Sequence, residues 1–292
     1  MGTTDQMNQK ICMVTGATSG IGKATALALA RIGARLVLVC RNRRKGEETV
    51  EQLCMAGAKQ PVELMIADLS SQQQIRALVR DFALKYDRLD VLVNNAGAMF
   101  PRRTESHEGI EMTLAVNHLA PFLLTNLLLD TLTTAGSARI VNVNSDAHEK
   151  GKIDFTDIQM RRHYPYGIGM RAYANAKLAN LLTVYELARR LSGSTVTANA
   201  LHPGYVATNI LPLDIAPGPV RLLKPFWSIA KQVIRAPERG AATVVYLAAS
   251  PKVANVSGMY FENCAPVASS PTSRDRELQM RMWEVSEQLA QA

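Results

Sequence analysis

No stretch of the chain reaches the ~18 consecutive apolar residues that a membrane span needs, although 47% of its 292 residues are apolar. The opening segment, Met1 to Lys10, is polar and has no apolar core of a secretory leader. Cysteine is scarce: Cys12, Cys40, Cys54 and Cys264 stand far apart with no CxxC pair. Three lie in apolar runs and read as buried free thiols in a reducing compartment. Linker-like stretches, internal repeats and low-complexity tracts are also missing, so residues 1–292 read as one large domain. These absences together predict a soluble, cytoplasmic chain. Net charge is +8, from 33 basic and 25 acidic residues. The basic residues are scattered, without a basic stripe or interleaved aromatics, which argues against a nucleic-acid partner. Their densest run is Arg41, Arg43, Arg44 and Lys45.

What the chain has is alternation. Short apolar runs at 10–15, 35–40, 61–67, 89–94, 138–144, 195–201 and 258–261 are interleaved with helical patterns at 23–32, 43–55, 71–86, 107–132, 170–191, 237–249 and 274–288. Runs of this kind predict parallel strands joined by right-handed crossovers, with helices on both faces of the sheet. The fold class is α/β: a single-domain, Rossmann-type, doubly wound parallel sheet of about seven strands. The pattern at 107–132 reads as one helix or two abutting ones, bounded or kinked at Pro121. The last helix is expected to cover a sheet edge. Two segments, 148–169 and 205–235, break the alternation after strands. They therefore fall on the carboxyl side of the sheet, where such folds bind ligands.

Gly16, Gly20 and Gly22 lie between the first strand and the first helix. Glycine there allows a tight turn and lets a pyrophosphate reach backbone N–H groups at the helix start. A nucleotide-kinase P-loop does not fit. Five residues separate Gly16 from Gly22, and Ala24 rather than Ser or Thr follows Lys23. The end of the second strand then reports which dinucleotide is bound. A carboxylate there would accept the ribose hydroxyls of NAD. Instead the chain reads Cys40-Arg41-Asn42-Arg43-Arg44, with no acid before Glu47. Guanidinium groups at that place pair with a 2′-phosphate, so NADP(H) is expected over NAD(H).

Tyr173 and Lys177, four residues apart in the helical run 170–191, share one helix face. A phenol ordinarily ionises near pH ~10, and an ammonium held close to it favours the phenolate. The pair can therefore serve as a general acid/base. Alone, the same spacing arises often on ordinary amphipathic helices.

In order along the chain stand Thr15-Gly16-Ala17-Thr18-Ser19-Gly20-Ile21-Gly22, Asp68-Leu69, Asn94-Asn95-Ala96-Gly97, Asn117, Ser145, Tyr173 with Lys177, and Pro203-Gly204. This set resembles the short-chain dehydrogenase/reductase superfamily in its classical form. Val116-Asn117-His118-Leu119 and His202-Pro203-Gly204 are similar to its retinol dehydrogenase-like branch. The resemblance implies an oxidoreductase acting on a carbonyl/alcohol pair. It implies that Tyr173 passes a proton to or from the substrate oxygen, and that Ser145 hydrogen-bonds that oxygen as charge develops. Lys177 would bridge the nicotinamide ribose and lower the Tyr173 pKa, and Asn117 would hold a water linking Lys177 to solvent. Asp68 would meet the adenine amino group with Leu69 beside the ring. Asn94 would steady the sheet and the cofactor loop, and Ala96-Gly97 would pass the adenine ribose. Pro203-Gly204 would shape the nicotinamide end, with Thr208 near the carboxamide, while Gly16, Thr18, Ser19, Gly20, Ile21 and Gly22 cradle the phosphates.

One departure stands out: where the branch usually has a second serine, this chain has Asn144. His118 and His202 lack metal-like spacing and are expected to pack or to support the cofactor. The two insertions offer Tyr164, Tyr166, Leu211, Leu213, Leu222, Phe226 and Trp227, side chains that suit a hydrophobic aldehyde, ketone or alcohol or pack as a lid or interface. Family tendency implies a homodimer or homotetramer. The rival from another class is a catalytically silent, NADP-sensing regulator of the same fold, which would be free to lose Tyr173, Lys177 or Ser145.

Overall fold

A computed structural model describes residues 7–164, 169–204 and 236–290. Its chain alternates as the apolar runs require. β1 (Ile11–Thr15), β2 (Arg35–Cys40), β3 (Val62–Ile66), β4 (Val91–Asn94), β5 (Ala138–Val143), β6 (Val196–His202), β7 (Tyr260–Glu262) and β8 (Ala265–Val267) form one sheet. Its order is β3-β2-β1-β4-β5-β6-β7-β8, parallel throughout except for the β7–β8 pair. Strand order reverses between β1 and β4, and the carboxyl ends there form the crevice of a doubly wound sheet.

Each central strand is apolar on both faces because helices cover both. Met13, Val37, Leu92 and Ile140 point into one core, built with helices α3 (Gln72–Ala83) and α5 (Ala120–Leu127). Cys12, Leu36, Val93 and Val141 point into the other, under α1 (Gly20–Arg31) and α2 (Arg43–Met55). Helix α8 (Pro237–Ala249) closes this second layer through Val244 and Leu247. All four cysteines are free, but only Cys12 and Cys40 are buried; Cys54 is exposed.

Three features differ from the sequence reading. The segment expected as helix from 107 begins instead with a bridge between Glu105 and Glu111. A three-residue α4 (Met112–Leu114), a π-helical turn (Ala115–Leu119), α5 and α6 (Leu129–Thr134) follow, with Pro121 at the boundary between the π-helical turn and α5. β8 is an eighth strand, and it runs antiparallel. The last helix, α9 (Arg276–Leu289), lies against α7 (Met170–Arg190) rather than along an edge, and Trp283 stands edge-on to Phe122 at 4.8 Å.

Candidate active site

The β1–α1 turn owes its shape to contacts that only glycine allows. Gly16 and Gly20 have φ of 65° and 52°. A Cβ on Gly22 would collide with Asn95 Nδ2 and Gly16 O. Asn95 holds this turn: its Nδ2 donates to Thr15 O (2.8 Å) and Gly16 O (3.3 Å). Thr15 Oγ1 in turn accepts from the N–H groups of Asn95 and Ala96, each at 3.0 Å. Steadying the loop, expected of Asn94, thus belongs to Asn95. Asn94 binds within the sheet, to Thr125 Oγ1 (2.9 Å) and Asn142 Oδ1 (3.2 Å).

Thr18 is half-buried and Ile21 buried, while Ser19, the N-cap of α1, is exposed and makes no capping bond with its side chain. The first turn of α1 also carries no acid, so its N–H groups face a site suited to an anion. Arg41 is exposed at the end of β2, whereas Arg43 and Arg44 lean toward Glu47 and Glu48 along α2. Asp68 accepts from the backbone N–H (2.9 Å) and hydroxyl (2.8 Å) of Ser70, and Leu69 packs on the core. The cap of α3 is Ser71, whose side chain accepts from Gln74 N.

The other end of the crevice gathers the remaining residues. Helix α7 brings in Tyr173 and Lys177, both buried, at 6% and 3% exposure. Lys177 Nζ donates to Val143 O at 2.9 Å and stands 5.5 Å from the centre of the Tyr173 ring. Burial lowers the Lys177 pKa to about 8. Burial also pushes the Tyr173 phenol well above its usual range; hydrogen bonding with Ser145 opposes this and the Asp146 carboxylate adds to it. Ser145 ends the β5 strand turn, donating to Asp146 Oδ1 (3.0 Å) and accepting from Ala147 N (3.2 Å).

Asn117 sits in the π-helical turn, a distortion that frequently marks functional sites. Its Nδ2 donates to Ala98 O (2.7 Å) and Thr113 O (2.9 Å), and its Oδ1 accepts from Ala98 N (3.2 Å). The side chain therefore ties the π-helical turn to the loop after β4 and to Thr113 one turn back. Gly97 lies between these groups. A Cβ there would be 2.8 Å from Asn117 Oδ1 and 3.7 Å from Lys177 Nζ, so the glycine keeps this space open. Pro203 and Gly204, the latter at φ 79°, follow β6 and are half-buried.

Two histidines brace the serine turn. His148, 1% exposed, lies 2.7 Å by Nδ1 from Ser145 O, and its Nε2 accepts from Ser270 N. His202 Nδ1 accepts from Asp146 N at 3.3 Å. His118 packs toward α9, 2.7 Å from Ser286 Oγ, and burial lowers its pKa to about 3. Among the described residues no cluster of potential ligands could hold a metal ion. Tyr164 turns its hydroxyl to Phe100 O (2.8 Å). Thr208, Tyr166, Leu211, Leu213, Leu222, Phe226 and Trp227 fall outside the described residues.

The family described as short chain dehydrogenase matches over residues 10–157. Retinol dehydrogenase 14 of Mus musculus is 39% identical, over 96% of this chain and 86% of its own length. Dehydrogenase/reductase SDR family member 13 of Bos taurus is 44% identical, over 96% and 73%. A Mycobacterium paratuberculosis structure, described as an uncharacterised protein, superposes with TM-score 0.78 at 32% identity, covering 100% of this chain and 98% of its own. RhlG of Pseudomonas aeruginosa, in complex with NADP, gives TM-score 0.70 at 25% identity, over 89% and 97%. The chain belongs to the short-chain dehydrogenase/reductase superfamily of oxidoreductases. Within it the chain falls in the retinol dehydrogenase-like branch. No helix among the described residues is long and apolar enough to cross a membrane.

Proposed function

We propose that the protein is an NADP(H)-dependent oxidoreductase that interconverts a hydrophobic carbonyl compound and its alcohol. The observation that carries this reading is the convergence of buried Tyr173, buried Lys177 and Ser145 beside the space that Gly97 leaves open. The cofactor, when bound, supplies or accepts hydride at its nicotinamide ring. Gly16, Thr18, Ser19, Gly20, Ile21 and Gly22 fit its phosphates, because the uncapped start of α1 offers N–H groups to an anion. Arg41 fits a 2′-phosphate. Asp68, Leu69, Ala96 and Gly97 would flank the adenosine half and Pro203 and Gly204 the nicotinamide half, while Asn94 steadies the sheet beneath them.

In reduction the Tyr173 phenol donates its proton to the substrate oxygen. In oxidation its phenolate takes one. Ser145 turns its hydroxyl from Asp146 to that oxygen and stabilises the negative charge developing there. The Lys177 ammonium offsets part of the burial cost of the phenolate. Asn117 holds the loop that keeps Lys177 clear. The relatives named for retinol, an apolar alcohol, support an apolar substrate.

The test is NADPH consumption with a panel of hydrophobic aldehydes and ketones, beside Tyr173→Phe. Turnover by the native chain that disappears in a variant still binding NADPH is the expected result. Full activity in Tyr173→Phe would overturn the catalytic assignment. NADPH binding with no turnover in either direction, alcohols included, would favour a cofactor sensor.

A further inference from the structure

Behind the tyrosine, serine and lysine lie two side-chain amides that the proton chemistry does not touch. Asn144 follows β5 directly and is 2% exposed. Its Oδ1 accepts from Ser145 N at 2.8 Å. Its Nδ2 donates to Lys177 O at 3.1 Å and to Asn180 Oδ1 at 3.4 Å. Asn180, 5% exposed and three residues beyond Lys177 on α7, donates its own Nδ2 to Asn117 O at 3.3 Å. The pair thus joins the backbones of Ser145, Lys177 and Asn117, which come from a strand end, a long helix and the π-helical turn.

The direction of every bond is fixed by its neighbours. The Ser145 N–H needs an acceptor, so the Asn144 amide must turn its nitrogen to the two oxygens of α7. Asn180 then presents its oxygen to Asn144, and its nitrogen faces the Asn117 carbonyl. A serine at 144 could not reproduce this: one short hydroxyl cannot accept from Ser145 N and also reach α7 through two N–H donors. An aspartate at 180 would aim a lone pair at the Asn117 carbonyl. The bonds to Lys177 O, between the two amides and to Asn117 O are buried, where an unmade one is costly. Lys177 is also gripped at its other end, since Nζ donates to Val143 O, one residue before Asn144. Residues 143 and 144 therefore hold both the backbone and the ammonium of Lys177.

We propose that Asn144 and Asn180 are positioning residues, a two-amide strap that sets Lys177 and Ser145 against Tyr173. The inference rests on the catalytic reading of those three residues. Without the strap α7 loses its amide bonds to the backbones of Ser145 and Asn117. The ammonium then no longer keeps a fixed distance from the phenol, and the serine hydroxyl loses its aim.

The test compares Asn144→Ser, Asn180→Ala, Asn180→Asp and the double variant Asn144→Ser/Asn180→Ala with the native chain, using the best alcohol substrate and NADP. Each single change should lower kcat about tenfold or more, with substrate KM and cofactor Kd within about twofold. The rise of kcat with pH, which reports phenolate formation, should move to higher pH as the ammonium loosens. The double variant should lose less than the sum of the two singles, because the contact between the amides is lost in either. Asn180→Asp, of equal volume, should fold and show the same loss. Native kcat with an unmoved pH profile, additive losses, or a loss that only follows the folded fraction would each overturn the strap. Tyr173→Phe measured alongside separates the two claims. If it stays active, the catalytic reading fails; if it is dead while the asparagine variants behave as native, only the strap fails.

Discussion

A lysine held at 3% exposure must find an acceptor or surrender its proton, and Lys177 goes part of the way with each. Val143 O takes one N–H, and burial lowers the pKa from 10.5 to about 8. A depressed folded pKa means that the unfolded chain binds the proton more tightly. The folded state therefore bears the full penalty below pH 8, and the penalty fades as pH rises from about 8 to 10.5. A shift of that size corresponds to at most about 3 kcal/mol, less about 1 kcal/mol for the bond to Val143 that a substitution would lose. Lys177→Met should accordingly be catalytically dead yet more stable than the native chain at pH 7, by about 1–2 kcal/mol. The gap should close near pH 10. Urea unfolding at the two pH values measures it, and a variant less stable at pH 7 would show that the buried ammonium costs nothing.

Among elements, the run from α4 through the π-helical turn to α5 is where sequence and structure part company. Glu111 starts it: 2% exposed, its two carboxylate oxygens accept from Thr113 N and Leu114 N, each at 2.8 Å. Burial raises its pKa while those N–H groups pull it down. Removing the cap leaves two buried donors unmade, so Glu111→Ala should lower unfolding free energy by about 1–3 kcal/mol. Denaturant unfolding checks this, and a change within error would mean that the carboxylate is not capping α4. The start of this run was not legible because Ile110, Leu114 and Leu119 suit a helical stripe whether or not the first turns form. Only the Glu105–Glu111 bridge and the double capping by Glu111 place the true beginning. β8 escaped notice for a similar reason. Its turn uses Asn263 and Cys264 at φ 49° and 62°, where glycine is the usual signal, and its middle residue is Pro266. By contrast β2, α2 and α8 were legible to the residue, because each apolar period ends at Gly, Pro or a polar cap. At the site the glycines, Tyr173 and Lys177 carry spacing signals of their own. Asn95, His148 and Asn180 do not, since what they do depends on partners 80, 122 and 63 residues away.

Across the whole molecule the reversal of strand order divides the labour. β1, β2 and α1 present the glycine turn and Arg41, whereas β5, α7 and the π-helical turn present Ser145, Tyr173, Lys177 and Asn117. The two halves meet at β1 and β4, where Thr15 and Asn95 tie the glycine turn to the loop that carries Gly97. On the proposed function, cofactor choice and proton chemistry would reside in groups with no shared hydrogen bond, and changes to them should combine additively. Arg41 is the sharper test because it is exposed at the end of β2, whereas its neighbours Arg43 and Arg44 pair with Glu47 and Glu48 along α2. Arg41→Ser should weaken NADPH binding about tenfold or more, leave NADH binding within about twofold, and leave kcat at saturating cofactor unchanged. Titrating both cofactors against the variant decides it. Equal weakening of the two would assign Arg41 to general charge attraction by a chain of net charge +8 rather than to a 2′-phosphate. A fall in kcat would show that the two halves of the sheet are coupled.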